Sequence, residues 1–328
     1  MKKIFSLCLL TLALLAACGR TQRVEASAAQ TDSIAVPARV YFTRDISPTG
    51  LQRVYDAVAQ HVTLGQHVAV KLSTGEPGGH NYLQPALIRD LVQQLGATIV
   101  ECNTAYGGGR SNTEAHLKAA QEHGFTEIAP VDIMDADSSV ALPVDGKHLQ
   151  ADLVGSHFMN YDFVVVLSHF KGHAMGGFGG AIKNISIGIA SSAGKHRIHS
   201  AGKVDADCWH NLPEQDDFLE SMAEAAQAVV NHVGEHILYI NVMNRLSVDC
   251  DCDSHPAEPE MNDIGIMASL DPVAVDRACV DRVYAAPEEE RKALVERIES
   301  RHGTHTLDYA EQIGLGTQQY ELIDLDAR

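Results

Sequence analysis

Apolar residues along this chain recur in two alternating rhythms, one suited to strands and one to helices. Val40, Tyr41 and Phe42 mark a strand over 39–43. Ser47 and Pro48 then supply a cap and a first-turn proline ahead of Leu51, Val54, Tyr55, Val58 and Val62, which fall at helical spacing. The order repeats, with a strand over 67–72, a helix over 85–95, a strand over 97–101, a helix over 112–123 stopped by Gly124, and a short strand over 127–133. The run Asp162-Phe163-Val164-Val165-Val166-Leu167 is the strongest strand signal in the chain. Beyond it the pattern predicts a helix over 218–233, strands over 237–242 and 264–269, and a helix opened by Asp271-Pro272 that runs through Val283. The charged run over 288–301 predicts a solvated helix face, and no internal repeat is found.

Strand and helix in alternation predict an α/β fold, Rossmann-like, with a largely parallel sheet and helices on both faces. Residues 38–328 are expected to form it as one large domain or two merged ones. Such sheets bind ligands outside the carboxyl ends of their strands. Three polar segments leave predicted strand ends: 73–84, 103–111 with Gly107-Gly108-Gly109-Arg110, and 168–200.

The N-terminus alters where this domain is expected to work. Met1-Lys2-Lys3 precedes an apolar run from Ile4 to Ala17 that is too short to span a bilayer, so 1–17 reads as a secretory signal. Leu15-Ala16-Ala17-Cys18 resembles a bacterial lipobox, which implies lipidation of Cys18 and anchoring to a cell-envelope membrane. Residues 18–37, rich in Ala, Ser, Thr and Gln, read as the tether.

Forty-three acidic against 25 basic residues give a formal charge of -18, which argues against nucleic acid as a partner. Against that background the segment 168–200 is a local positive island. It holds His169, His173, His196 and His199, the cations Lys171, Lys183, Lys195 and Arg197, and seven glycines, and is expected to be a site-lining loop for a small anionic ligand. Neutral imidazole suits Ni, Fe or Zn and moves protons near neutral pH. Arg110 is a candidate for a bidentate anion clamp. Asp249-Cys250-Asp251-Cys252 offers two thiols too close in sequence for an unstrained disulfide, leaving metal ligation or redox chemistry open. Neither zinc-ribbon nor ferredoxin cysteine spacing is present, so no iron–sulfur cluster is expected. Walker, dinucleotide, Gly-x-Ser-x-Gly and HExxH patterns are also missing.

Taken together, Lys71-Leu72-Ser73, His123-Gly124-Phe125, Ser168-His169-Phe170-Lys171-Gly172-His173, Gly179-Gly180-Ala181-Ile182-Lys183-Asn184, Asp249-Cys250-Asp251-Cys252 and Asp271-Pro272-Val273-Ala274 resemble the bacterial domain of unknown function 362 family. The resemblance runs over roughly 38–315; its members often carry a ferredoxin-type insert, which this chain lacks. More remotely, the order of His173, Phe178, Lys183, Ile185, Gly188-Ile189 and His199 is similar to the nickel-pincer lactate racemase family. That likeness implies Lys183 as a cofactor anchor and His173 and His199 in metal or proton-transfer roles. Gly109 stands where the racemase pattern has a histidine. With the export signal, this points to shared fold ancestry rather than a shared cofactor.

The resulting expectation is an exported, lipid-anchored enzyme, an oxidoreductase or isomerase, using a metal or anionic cofactor in redox or proton-transfer chemistry on a small anionic substrate. His173, Lys183 and His199 are the expected catalytic residues. Lys171, Gly179, Gly180, Lys183 and Arg110 are expected to bind the cofactor, and His169, His173, His199, Cys250 and Cys252 to hold metal. The competing expectation is a lipoprotein that captures a metal ion or anionic solute without turnover. A third, in which the histidines scatter over the surface, makes the cluster structurally incidental.

Overall fold

A computed structural model describes residues 36–327; the signal segment, Cys18 and nearly all of the tether lie outside the described residues. The first half alternates as its periodicity predicts: β1 (Ala38–Thr43), α1 (Pro48–Ala59), β2 (Val68–Lys71), α2 (Pro85–Gln94), β3 (Thr98–Glu101), α3 (Thr113–Glu122) and β4 (Val131–Ile133). Local chemistry sets the helix starts. The Ser47 hydroxyl accepts from the Gly50 N–H and Pro48 opens α1, while the Asn112 side chain accepts from the Ala115 N–H at the head of α3. Each such cap contributes about 1 kcal/mol.

A hairpin follows, β5 (Ser139–Pro143) with β6 (Ala151–Gly155), and then β7 (Phe163–His169). After it come the short hairpin β8 (Lys171–His173) and β9 (Gly177–Gly179), then α4 (Ala181–Ile185), α5 (Ser192–His199) and the long α6 (Gln215–Val233). The chain closes with β10 (Ile237–Met243), β11 (Gly265–Ser269), α7 (Pro272–Ala285), α8 (Glu288–Ser300), α9 (His305–Gln312) and β12 (Tyr320–Asp324).

Eight strands form one sheet in the order β12-β1-β11-β10-β7-β2-β3-β4. All neighbours pair in parallel except β11, which runs antiparallel to both β1 and β10. Every residue of β7 and β10 is buried, as befits central strands covered on both faces. Side-chain alternation sends Val68, Val70, Val165 and Leu167 into one core with α1 and α2, and Ala69, Val164 and Val166 into another with α4, α6 and α7. The mixed, mostly parallel α/β architecture is therefore the one the rhythm predicts.

The segment 168–200 departs from expectation. It is no open loop: Ser168, His169, Lys171, His173, Lys195 and His199 are all buried, and the segment continues β7 into a hairpin and two short helices. Polar residues enter the interior here because they meet partners. Gly177, at a positive φ of 78°, makes the β8–β9 turn against Gly303, where a Cβ would come within 2.8 Å of the Gly303 Cα.

Candidate active site

The sheet reverses its winding between β2 and β7. From β2 the chain builds outward through β3 and β4, whereas β7 and β10 lie on the other side. The carboxyl ends at such a reversal diverge and leave a crevice. Here the crevice is a cavity of about 240 Å³, lined among others by Lys71, Glu101, His173, Lys183, Lys195, His199, Cys250 and Cys252. Lys71 and Glu101 are the last residues of β2 and β3, and α4 supplies Lys183, α5 Lys195 and His199.

A folded loop brings the cysteines in. Gly172 has no side chain to hold off Val248, whose carbonyl oxygen would lie 2.2 Å from a Cβ at that position, so β8 packs directly against the loop. The Gly172 N–H donates to the Ser247 carbonyl at 2.8 Å, and Arg297 of α8 donates to the Val248 carbonyl at 2.6 Å. Asp251 is pinned by His169 at 2.8 Å and Lys171 at 2.8 Å. The charged helix 288–300 is thus mostly solvated, as expected, yet lends one arginine to the site's support.

Cys250 sits among donors. Its sulfur faces the Cys252 N–H at 3.4 Å and the Lys183 ammonium at 3.8 Å. The Cys252 S–H donates to it, and with Lys183, His173 and Lys171 this overcomes burial and holds the Cys250 thiol well below its usual range. Cys252, as the thiol that keeps its proton, is pushed well above it by the same hydrogen bond. Cys250 is accordingly the thiolate of the pair.

The histidines divide by role. His173 Nδ1 accepts backbone N–H bonds from Gly176 at 2.8 Å and Met175 at 3.3 Å, so the ring proton sits on Nε2, and the ring hydrogen-bonds Cys250. Burial, then the neighbouring Lys183, lowers its pKa. His199 donates from Nδ1 to the Lys195 carbonyl at 2.7 Å, which leaves Nε2 with a lone pair. Burial pushes its pKa down to about 3, and its ring stacks on Phe218. His169 was expected as a metal ligand, but its two nitrogens are taken by Asp251 at 2.8 Å and the Asn244 carbonyl at 2.6 Å. It therefore orients Asp251. His196 meets Cys208 at 3.2 Å and is not among the cavity's lining residues.

The cations divide similarly. Arg110 was expected to clamp an anion, yet it is buried against the protein's own carboxylates, with Nε 3.0 Å from Glu76 and Nη1 3.4 Å from Glu101. Lys171 keeps its charge despite burial because Asp251 and the two cysteines outweigh the desolvation. Lys71 and Lys195 have no carboxylate partner within bonding distance: Lys71 donates to the Leu72 carbonyl at 2.6 Å and to Asn184 Oδ1 at 3.0 Å, Lys195 to the Ala190 carbonyl at 2.5 Å. Burial lowers the Lys71 pKa to about 8. Gly179 and Gly180 line the cavity, but Gly180 also makes room for Asp276, whose Oδ1 would lie 2.2 Å from a Cβ there. Asp276 accepts from the Ala181 N–H at 2.7 Å and the Ile182 N–H at 3.0 Å and so fixes α4.

Lys71, Glu101 and Asn184 were not assigned to the site from sequence, whereas Lys195 belongs to the positive island of 168–200 expected to line it. For both Lys71 and Glu101 a signal was available: Glu101 is the last residue of a predicted strand and Lys71 stands one residue before the end of another. Two sulfurs are too few for an iron–sulfur cluster. For a single soft metal ion the spacing suits, since ligand-type atoms of His173, Cys250 and Cys252 lie within 4.8 Å of one another. In this arrangement, though, His173 presents a proton toward sulfur, and that proton must leave before Nε2 can ligate.

Comparison with known proteins places the chain in context. The family model described as Domain of unknown function (DUF362) matches residues 68–281. No curated protein matches the sequence significantly. Among solved structures, the chain is similar to the lactate racemase apoprotein from Thermoanaerobacterium thermosaccharolyticum, with 14% identity, a TM-score of 0.46, and coverage of 75% of this chain and 57% of that one. It is also similar to a structural-genomics protein from Thermotoga maritima, with 12% identity, a TM-score of 0.41, and coverage of 79% and 59%. The chain thus spans less than two thirds of either protein's length.

Proposed function

The chain belongs to the domain of unknown function 362 family, and from the chemistry of its own cavity we propose that it is an enzyme acting on a small anionic substrate by redox or proton-transfer chemistry centred on the Cys250 thiolate. One observation carries this reading: His173, Lys183, His199 and Cys250, drawn from separate elements of the chain, converge on one cavity. A structurally incidental set of histidines would not. Lys71 and Lys195 supply positive charge with no carboxylate bonded to it, which in a low-dielectric cleft favours an anion. Lys183 and His173 hold the thiolate, and His199 Nε2 offers a lone pair as proton acceptor.

Thermal-shift titration with a panel of small carboxylates, phosphates and sulfur oxyanions tests the reading. At least one anion is expected to stabilise the wild type and to do so weakly in a His173→Ala, Lys183→Ala double variant. Stabilisation by none of them, or equal stabilisation of both proteins, sinks it.

The compact group of His173, Cys250 and Cys252 favours a second reading, in which these residues hold a nickel, iron or zinc ion for catalysis or delivery. Elemental analysis of natively isolated protein decides between the two. The lipobox at Leu15–Cys18 supports export and anchoring through a lipidated Cys18, and mass spectrometry of the membrane fraction checks that assignment.

A further inference from the structure

Of the five described cysteines, Cys102, Cys250 and Cys252 line the cavity, and of these only Cys250 and Cys252 stand as a pair, with Cys252 the one that is not fully buried. Their sulfurs lie within 4.8 Å of each other, and Cys252 is the more exposed of the two. His173 directs a ring N–H rather than a lone pair at this pair, because Gly176 and Met175 occupy Nδ1. A donor in that place stabilises a sulfur anion; it does not complete a coordination shell. Asp251, the residue between the cysteines, is held on three sides, by His169, by Lys171 and through its carbonyl by the Glu76 N–H at 2.8 Å. The dithiol is thus presented on a fixed turn.

We infer that Cys250 and Cys252 form a redox couple that reduces the sulfur–sulfur bond of a small anionic substrate held by Lys71 and Lys195. The inference rests on the reading of the cavity as an anion site. In the first step the Cys250 thiolate attacks one sulfur of the substrate, forming a mixed disulfide and expelling the other sulfur fragment as an anion. In the second step Cys252 gives up its proton and attacks Cys250 Sγ, which closes the Cys250–Cys252 disulfide and expels the remaining substrate fragment. The two thiols lose two electrons and the substrate gains them. An external dithiol returns the couple to its reduced state by the reverse exchange. A ring closed across one intervening residue is strained, and strained disulfides are the readily reduced ones, so turnover is favoured over a dead-end oxidised state.

The test uses the full chain, purified reduced, with tetrathionate as the anionic probe and 2-hydroxyethyl disulfide as the neutral one. Peptide mass spectrometry is expected to find a Cys250–Cys252 disulfide in the wild type and, in Cys252→Ser, a trapped thiosulfate adduct in which Cys250 Sγ is bonded to the sulfane sulfur of S–SO3−, the other thiosulfate having left. Cys250→Ser is expected to give neither. The preference for tetrathionate over the neutral probe is expected to fall by roughly 30-fold or more in Lys71→Met, Lys195→Met. Modification of Cys102, Cys208 or Cys279 instead, or no reaction at all, overturns the redox couple, and an unchanged preference overturns the anionic substrate. If tetrathionate raises the melting temperature of the Cys250→Ser, Cys252→Ser double variant while the wild-type thiols stay unreacted, this inference fails and the anion site stands.

Discussion

Two clusters of histidine, lysine and carboxylate occur in this protein, and they are built to opposite ends. Beside α6, Glu224 accepts from the N–H groups of Lys147, His148 and Leu149 and from the Tyr309 hydroxyl, and Glu220 accepts from Lys147, His148 and His305. Donors and acceptors there close on one another and tie the 144–150 loop to α6 and α9. At the cavity, Lys71 and Lys195 find only carbonyls and an amide, and the Cys250 sulfur, its pKa lowered by the Cys252 thiol and Lys183, stands 3.8 Å from the Lys183 ammonium. Residue types alone do not separate the two clusters. What separates them is whether charge is balanced within the protein, and whether a void adjoins it.

The contrast breaks if the α6 cluster proves dispensable. Glu224→Ala should cost about 3 kcal/mol, because it strands three backbone N–H groups and a tyrosine hydroxyl, with anion binding in the cavity unchanged; chemical denaturation reads the loss. Lys71→Met should behave in the reverse sense. It removes a buried cation that lacks a carboxylate, so stability holds or rises, while anion affinity falls by about 2 kcal/mol, roughly 30-fold in Kd. Calorimetric titration checks it, and the wild-type affinity should itself decline as pH rises through about 8, where Lys71 loses its proton.

A smaller effect sharpens the picture through pH. His199 has a folded pKa of about 3 against an ordinary 6.5, so the neutral ring contributes stability that is present above 6.5 and lost as pH falls toward 3. Between about pH 7 and about pH 5.5 the wild type should lose on the order of 1 kcal/mol that a His199→Phe variant retains. Denaturation curves at the two pH values give the difference. Smallest of all is Lys147→Ala: its ammonium is exposed, and the backbone N–H that serves Glu224 survives the change, so the melting temperature should not move.

Much of the sheet was legible because period-2 and period-3.6 patterns alternate so regularly from β1 to α3. The direction of β11 was not, since Ile266, Met267 and Ala268 are buried on both faces and read alike in either sense. Nor was the β5–β6 hairpin, where β5 buries only Leu142 and shows no apolar run. In the site, the crowding of 168–200 singled out His173, Lys183 and His199, and the Cys-x-Cys pair stood out by its spacing. The fates of Arg110 and His169 were illegible because their partners, Glu76, Glu101 and Asp251, lie 34, 9 and 82 residues away. Burial of so many polar groups also defeats any rule that reads a histidine- and glycine-rich run as an open loop.

The pairing of β1 also has a mechanical side. β1 lies parallel to β2 and β7, so the chain enters it at the pole of the sheet opposite the cavity. A pull on the backbone ahead of Ala38 runs along the strand axis and loads the β1–β12 and β1–β11 ladders in shear. Ladders loaded that way resist together, where a peeled strand gives way one bond at a time. Ala38 and the strand-end cavity thus stand at opposite poles of the sheet, and load entering at one pole is carried by the ladders before it reaches the other.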